Sequence, residues 1–588
     1  MKVILRLIGF VQKYWFMLVL AFLSQVLGTA FGILIPRVLG QGIDDVLRLS
    51  QTTGSTNPII IAAVVVVAAG ALRGVAGYGN RYFSEVVSQK VSYNIRNALY
   101  NRLQRLSFQF HDQNQTGQLM SRATVDVEAT RMFFSLGLLG IAQVVLMFFG
   151  VVVMILLINW QLALITVAFV IPVGWLATTF GTRIRPIWLK VQAMLGFMGT
   201  TLEESLAGIG VVKAFSRQKE ESRKFTAQAK TLYDDQMSAI RLMAIAMPTM
   251  VLLIGIPTAV ILWFGGNQVV AGGMTVGQVT QFVLYLGLLM MPIRQLGMMV
   301  NLYSRTVSAG QRILEILDTE SSVKEKPDAI DPGRAQGHVT FENVSFSYDN
   351  ISPALKDVSF EVQPGQLVAL LGGSGSGKST VANLLARFYD VTSGKICVDD
   401  VDIRDIKLSS LRRNVVAAQQ DVFLFSSTIK ENIAYGDMDA DMDKIIEVAK
   451  AAQLHDFIES LPEGYDTWVG ERGDTLSGGE KQRLSIARTL LVNPSVLILD
   501  DSTASVDAET ERLIRQALNT LIQGRTTFII THRLTLIKNA DLILLFKDGE
   551  LVQQGKHEEL VAREGEYKEV YESQLMIDQE SETTMEDK

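Results

Sequence analysis

Gly372-Gly373-Ser374-Gly375-Ser376-Gly377-Lys378-Ser379 is the stretch that decides how this chain is read. It fits the pattern G-x-x-x-x-G-K-[ST], and its flanks agree with it. Leu367-Val368-Ala369-Leu370-Leu371 precedes it as a buried strand, and Ser379 to Arg387 follows as the start of a helix. In that strand–loop–helix context the pattern reads as a phosphate-binding loop; a Gly-Ser linker would have no such apolar flanks. The glycines let backbone N–H groups close around a β-phosphate, and the helix N-terminus adds positive potential. Lys378 supplies charge to the β- and γ-phosphates, the Ser379 hydroxyl is a Mg²⁺ ligand, and Thr380 completes the binding segment.

Downstream elements fit the same chemistry. Val496 to Leu499 is an apolar strand ending in Asp500, whose carboxylate can hold the Mg²⁺ shell through water. Asp501 follows, where a base could orient an attacking water. His532, in Ile529-Ile530-Thr531-His532-Arg533, ends another apolar strand within reach of a γ-phosphate. Leu476-Ser477-Gly478-Gly479-Glu480 lies between these pieces.

Upstream of the loop the chain changes character. Of 588 residues 48% are hydrophobic and 19% charged, too long and too apolar for one ordinary soluble domain. A spanning helix needs about 20 mostly apolar residues. Lys13 to Arg37 encloses a charge-free run, and Pro58 to Tyr78 is interrupted only by Arg73. Met132 to Thr182 is long enough for two crossings, with a turn at Asn159-Trp160-Gln161. Leu242 to Ile293 holds two more, divided by Gly265-Gly266-Asn267-Gln268 and Gly272-Gly273. The expected total is six. The segments after the second and fourth crossings carry many Lys and Arg, and the turns at Asn159 and Gly265 to Thr275 carry none. Positive-inside bias therefore puts both termini and the whole second half in the cytoplasm of a cytoplasmic (inner) membrane protein. The two basic segments are expected to continue the membrane helices into the cytosol. Met1 to Phe10 lacks a separate cleavable signal, and the first dozen residues suggest an interfacial entry helix. Arg73, Arg294 and the methionines Met290, Met291, Met298 and Met299 are candidate cavity residues, with helix packing as the plainer alternative.

Other classes are excluded. A net charge of −6 leaves no nucleic-acid footprint, and the lone Cys397 rules out an internal disulfide or a multi-cysteine metal site.

The six spans, the phosphate loop, Leu476 to Glu480 and the Asp500 strand together resemble an ATP-binding cassette (ABC) exporter half-transporter of the multidrug or lipid type. The resemblance covers almost the whole chain. It implies an α-helical six-span transmembrane domain like that of type IV exporters, followed by an α/β P-loop nucleotide-binding domain. The expected divisions are 1–316 (transmembrane), 317–337 (linker), 338–574 (nucleotide-binding) and 575–588 (acidic tail). It implies ATP and Mg²⁺ as cofactors, and membrane lipids, an amphipathic substrate and a second half-transporter as partners. Tyr348 resembles the aromatic that stacks on adenine. Gln420 resembles the glutamine that contacts Mg²⁺, and His532 the switch histidine. Thr467 to Gly473 is similar to the exporter loop before the signature. Leu476, Ser477, Gly478, Gly479 and Glu480 resemble the signature that closes on ATP held by the opposite subunit, and Ala504 to Asp507 the loop crossing the dimer interface. Phe110-His111-Asp112 with Thr116 to Leu119, and Glu203 to Phe215, resemble two coupling regions, expected near Gln420 and Glu471.

Two residues depart from the family pattern. Glu480 replaces the commoner glutamine and leaves Ser-Gly-Gly intact. Asp501 replaces the catalytic glutamate. Its carboxylate stands back by roughly a bond length, and a 1 Å misplacement costs about 100-fold in rate. The resemblance then implies a heterodimer with one competent and one degenerate site. A homodimeric lipid or drug flippase, or a largely regulatory subunit supporting a catalytic partner, are the alternatives. The six spans argue against a soluble ABC ATPase, and the fused order of the halves against an importer.

Overall fold

The computed structural model describes residues 2–50, 57–349, 351–418, 422–501, 508–531 and 534–572. The chain divides into two compact units. Met1–Gln104 with Thr116–Thr319 form one, and Arg105–Gln115 with Glu320–Lys588 the other.

The first unit is built of long helices. Asn57–Arg105 runs for 49 residues, Trp160–Ala207 for 48 and Gln218–Val270 for 53. At 1.5 Å per residue a helix of about 50 residues spans roughly 75 Å, more than twice a hydrocarbon core of about 30 Å. The polar basic segments therefore begin as unbroken continuations of the apolar helices, as far as Arg105 and Ala207, and break into short helices beyond. Five helices among the described residues are long and apolar enough to cross a membrane: Gln12–Arg48, Ile59–Arg105, Thr116–Ile158, Trp160–Ala207 and Gln218–Val270. The sixth expected crossing falls on the helix Val276–Asp318, whose described apolar stretch is the shorter Val276–Met290.

The turns are fixed by side chains. Asn159 caps Trp160–Ala207, accepting from the N–H groups of Gln161 and Leu162 at 3.0 Å each. Its amide donates to Gln268 Oε1 at 3.1 Å, tying one expected turn to the other. The second turn is tighter than the glycines suggest. Gly265 and Gly266 remain inside the helix Gln218–Val270, and the chain breaks only at 271–275. Gly265 serves packing, since a Cβ there would lie 3.0 Å from Val279 and 3.7 Å from Leu162. Thr275 then opens Val276–Asp318 with a capping box to Gln278. Asp44 braces this helix start, accepting from Thr275 Oγ1 at 2.6 Å and Gly277 N at 2.8 Å.

The core of this unit includes Val151, Ile155, Leu162, Ile261, Phe282, Tyr285 and Leu289. Tyr285 donates its hydroxyl to the Ile33 carbonyl at 2.9 Å. The entry helix Lys2–Gly9 lays Leu7 against Gly310, and Arg6 pairs with Asp318 at 2.6 Å. Arg73 lies along Gly32, with its guanidinium carbon 3.5 Å from where a Cβ would stand. Met290 and Met299 are buried and Met298 is exposed. The side chains of Met291 and Arg294 lie outside the described residues.

The second unit holds two sheets. Strands β1 (Val339–Ser347), β2 (Pro353–Val362), β4 (Ser393–Val398) and β5 (Val401–Asp402) form an antiparallel sheet in the order β2-β1-β4-β5. Strands β3 (Leu367–Gly372), β6 (Val415–Ala418), β7 (Val496–Asp501), β8 (Thr526–Thr531), β9 (Leu542–Lys547) and β10 (Glu550–Gly555) form the other, in the order β10-β9-β3-β8-β7-β6. All its pairings are parallel except β9 with β10. The continuous apolar runs reflect burial on both faces. Ala369, Leu371, Leu497 and Leu499 enter one core, and Val368, Leu370, Val496 and Ile498 enter the other.

Candidate nucleotide site

Three adjacent parallel strands end at one edge of the six-stranded sheet. Leu370 of β3 pairs with Ile530 of β8, and Asp500 and Asp501 of β7 pair with Ile530 and Thr531. The register thus brings the glycine loop and the β7 carboxylates to the carboxyl ends of neighbouring strands, where open α/β sheets bind ligands.

The loop's shape demands its glycines. Gly372, Gly375 and Gly377 have φ of 142°, 77° and 106°. A Cβ on Gly372 would stand 2.2 Å from the Phe546 carbonyl, and one on Gly377 2.7 Å from Leu355. Gly373 and Gly375 face open space, with nothing within 4 Å of a Cβ, so a cradle stands clear above them. Lys378 opens the helix Lys378–Leu385 and folds back across the loop, donating to Gly372 O at 2.8 Å and Gly373 O at 2.7 Å. Burial holds its ammonium below the usual range, opposed by the charge of Asp500. Ser374 and Ser379 are exposed, while Ser376 and Thr380 are buried. The open cradle, the Lys378 ammonium within the field of Asp500 and the exposed Ser379 hydroxyl suit a magnesium–polyphosphate group.

Tyr348 sits beside this loop. Its hydroxyl donates to Thr380 Oγ1 at 3.3 Å, and its ring meets Tyr389 edge-on at 5.1 Å. The ring remains 39% exposed, enough for a flat base to stack on it.

Leu476 packs against the larger core, and Ser477 caps the helix Gly478–Val492. The departure at Glu480 keeps a structural role. Glu480 Oε2 accepts from Ser477 N–H at 2.8 Å while Ser477 Oγ accepts from Glu480 N–H, a complete capping box. Gly479 is needed for contact, because a Cβ would lie 2.1 Å from Thr510 Cγ2, whereas Gly478 is open. Its exposed helix N-terminus is a ready anion site.

Several expected site residues lie outside the described residues: Gln420, His532 and the segment Ala504 to Asp507. For Asp501 the backbone is placed in β7 and the side chain is not described.

Sequence reading expected the first coupling region to dock on the nucleotide-binding half but did not foresee its partners. The short helix Phe108–Gln113 belongs to the second unit, though it lies between two helices of the first in the chain. Phe108 stacks on Phe388 at 4.2 Å, and Tyr389 donates its hydroxyl to Asp112. Ser322 donates to Ser107 at 2.8 Å. These partners directly follow the phosphate-loop helix; Gln420, one of the expected neighbours, lies outside the described residues. Burial first, then Asp112, pushes the Tyr389 hydroxyl well above the usual phenol range. The adjacent aromatics Phe388-Tyr389 after an apolar helix were the available signal. The second region, by contrast, leaves Leu206, Ile209, Val211 and Phe215 exposed in the first unit.

Comparison with known proteins agrees with this architecture. Residues 18–293 match the ABC transporter transmembrane region, and residues 355–504 match the ABC transporter domain. An uncharacterized ABC transporter ATP-binding protein, YknU of Bacillus subtilis, is 37% identical over 560 residues, 94% of either chain. An ATP-dependent lipid A-core flippase of Syntrophus aciditrophicus is 37% identical over 508 residues, 86% of this chain and 84% of that one. The solved structure of a bacterial Atm1-family ABC exporter with ATP bound superposes with a TM-score of 0.78 at 32% identity, covering 95% of this chain and 98% of its own. A membrane unit of long apolar helices joined to an ATP-binding unit with this loop and signature makes the chain a member of the ABC exporter family, whose ATPase is coupled to transport.

Proposed function

We propose that this chain is one half of a heterodimeric exporter that moves amphipathic small molecules, drugs or lipids, across the cytoplasmic membrane. In this reading residues 1–316 form a six-span domain, 317–337 a linker, 338–574 a cytoplasmic nucleotide-binding domain and 575–588 a tail. The lipid A-core flippase among the relatives supports a lipid-like substrate.

Each candidate residue has a part in this reading. Tyr348 stacks on adenine. The loop N–H groups from Gly373 to Ser379 bind the β-phosphate, and Lys378 swings from the loop carbonyls to the γ-phosphate. Ser379, Gln420 and, through water, Asp500 hold Mg²⁺. When bound, the metal neutralises charge on the phosphate oxygens. Asp501 and His532 face the attacking water. Ser477, Gly478 and Gly479 present N–H groups and a hydroxyl to the partner's nucleotide.

One observation carries the asymmetry: a well-formed signature cap at Ser477 stands in a chain whose Walker B strand ends in Asp501 where the family uses Glu. The productive site then combines the partner's phosphate loop with this chain's Ser477. The exposed apolar region Leu206 to Phe215 suits docking on the partner's motor. In the assembled pair Ser477→Ala should nearly abolish ATP turnover, and Asp501→Asn should cost far less. Lys378→Ala should remove nucleotide trapping at this chain's own site. A collapse on Asp501→Asn as deep as loss of a catalytic glutamate refutes the asymmetry. Full activity of the chain alone as a homodimer does the same.

A further inference from the structure

Charge ends at matching levels on two neighbouring helices of the first unit. On Asn57–Arg105 the apolar run closes at Tyr78, and Arg81 follows. In the helical stretch 116–158 the run opens at Met132, directly after Arg131. There the backbone leaves α-geometry for a π-helical turn, Phe133–Gly137. Such turns break the regular ladder and recur at functional sites. Here Ser84 donates its hydroxyl to the Ser135 carbonyl at 2.7 Å.

Between the two helices lies a cavity of about 430 Å³, within the usual range for small-ligand sites. Its polar side is already settled. Glu85 accepts from Ser135 Oγ at 2.7 Å and from Arg131 at 2.5 Å, and Arg131 also pairs with Glu128 at 2.6 Å. Arg81 lines the same cavity and makes no hydrogen bond or ion pair among the described residues. Its nearest carboxylate in the lining, Glu85, is committed elsewhere. The other walls are apolar or aromatic: Met132, Leu136, and Tyr78 stacked on Tyr82 at 5.9 Å and 13°.

We infer that this cavity is a binding subsite for an amphiphile with an anionic headgroup. A phosphate or carboxylate takes the fork of Arg81, and the chain or ring lies along Tyr78, Tyr82, Met132 and Leu136. Three features select this class. The lining carries one guanidinium, Arg81, that feels Glu85 only through space and keeps all its N–H donors free of hydrogen bonds among the described residues. A guanidinium binds phosphate and carboxylate with two parallel hydrogen bonds. The site stands where apolar helix gives way to basic helix, the level at which a bilayer presents headgroups and apolar chains together. The inference rests on the export reading and names its substrate class.

The test uses the full exporter with its partner, nucleotide-free, in phosphatidylcholine nanodiscs. Binding of radiolabelled dodecyl phosphate is measured against empty nanodiscs. Arg81→Gln should weaken it about tenfold, the loss of one charge-assisted bidentate contact. Arg81→Lys should retain most of it, and Leu136→Trp should fill the cavity and block it. Unchanged unfolding midpoints show that the variants fold. Dodecyltrimethylammonium should not compete. Phosphatidylglycerol in the disc competes if the anion is a bilayer lipid and fails to compete if it is a soluble amphiphile. Equal competition by inorganic phosphate, unchanged affinity in Arg81→Gln, or cross-linking of cysteines at 78 and 82 to the partner subunit overturns the inference. Wild-type ATP-driven transport is assayed separately, so its absence would sink the export reading without touching this binding result.

Discussion

The contact between Asp112 and Tyr389 offers the sharpest test of how the short helix Phe108–Gln113 is held. Tyr389 is buried and donates its hydroxyl to an exposed carboxylate, while Phe108 stacks on Phe388 at 4.2 Å. A hydrogen bond to a charged acceptor is worth about 1.5–3 kcal/mol, and water at the exposed Asp112 recovers part of that, leaving roughly 1–2 kcal/mol. Tyr389→Phe removes the bond and keeps the ring against Phe346 and Tyr348. Asp112→Asn removes the charge. Either change should speed amide exchange of residues 108–113 by roughly 5- to 30-fold, since about 1.4 kcal/mol is a factor of ten. Tyr389→Phe combined with Asp112→Asn should do little more than Tyr389→Phe alone, because the asparagine only weakens the bond that the phenylalanine removes. Phe108→Ala should add its own loss, about 0.5–1.5 kcal/mol for the stacked pair beyond its area. ATP binding should survive, while substrate stimulation of ATPase should fall. Additive effects of the two polar substitutions, or protection of 108–113 unchanged in both, would show that this bond does not hold the helix.

Three further outcomes follow from the geometry. Gly277→Ala puts a Cβ 1.9 Å from the Gly40 carbonyl and 2.5 Å from Asp44, so it should lower stability by at least about 1–3 kcal/mol in thermal unfolding, whereas Gly266→Ala, in open space, should be neutral or stabilising by up to roughly 1 kcal/mol. Glu480→Gln keeps an acceptor for Ser477 N–H and should change stability by less than about 0.5 kcal/mol; Glu480→Ala loses the reciprocal cap and should raise exchange of the first turn of Gly478–Val492. His557 bonds Tyr567 at 2.6 Å, and burial, then Lys538, holds its imidazole below the ordinary value of 6.5. Its contribution is therefore complete above that value and is lost as pH falls through the lower folded value, so protection of residues 557–567 should fall as pH is taken below 6.5, and His557→Gln should flatten that slope.

The phosphate loop was legible because its chemistry is local. Close backbone approach and positive φ at Gly372 and Gly377 leave glycine as the one fitting residue, so the pattern carries the shape. Long charge-free runs likewise announce helices, since lipid tolerates few other backbones. The breaks inside such runs were harder. Gly265 and Gly266 read as a turn from composition, yet helix continues through them, because glycine also permits close packing against Val279. The stop came instead from Thr275 and Gln278, a capping box printed in the sequence at the spacing such boxes require. Contacts between distant segments left only half a trace, here the adjacent aromatics Phe388-Tyr389. Nothing in Phe108 to Gln113 names Phe388 and Tyr389 as its partners, because an aromatic stack needs only two flat apolar side chains, a type the chain holds in plenty.

The two departures from the family pattern separate under the same logic. Glu480 differs from glutamine in charge, but the cap at Ser477 asks only for an acceptor oxygen on a side chain of that length, and both residues supply it. Asp501 differs from glutamate in reach, and reach is what an in-line attack is sensitive to. A substitution that keeps length and changes charge can be absorbed by a hydrogen bond already in place. One that keeps charge and changes length moves the reacting group itself. β7 pairs the Asp501 backbone with Thr531 of β8, while its pairing with β6 ends, among the described residues, at Leu499. A strand paired through its last residue has little freedom to advance and restore the missing methylene, and on that argument the proposed asymmetric pair stands or falls.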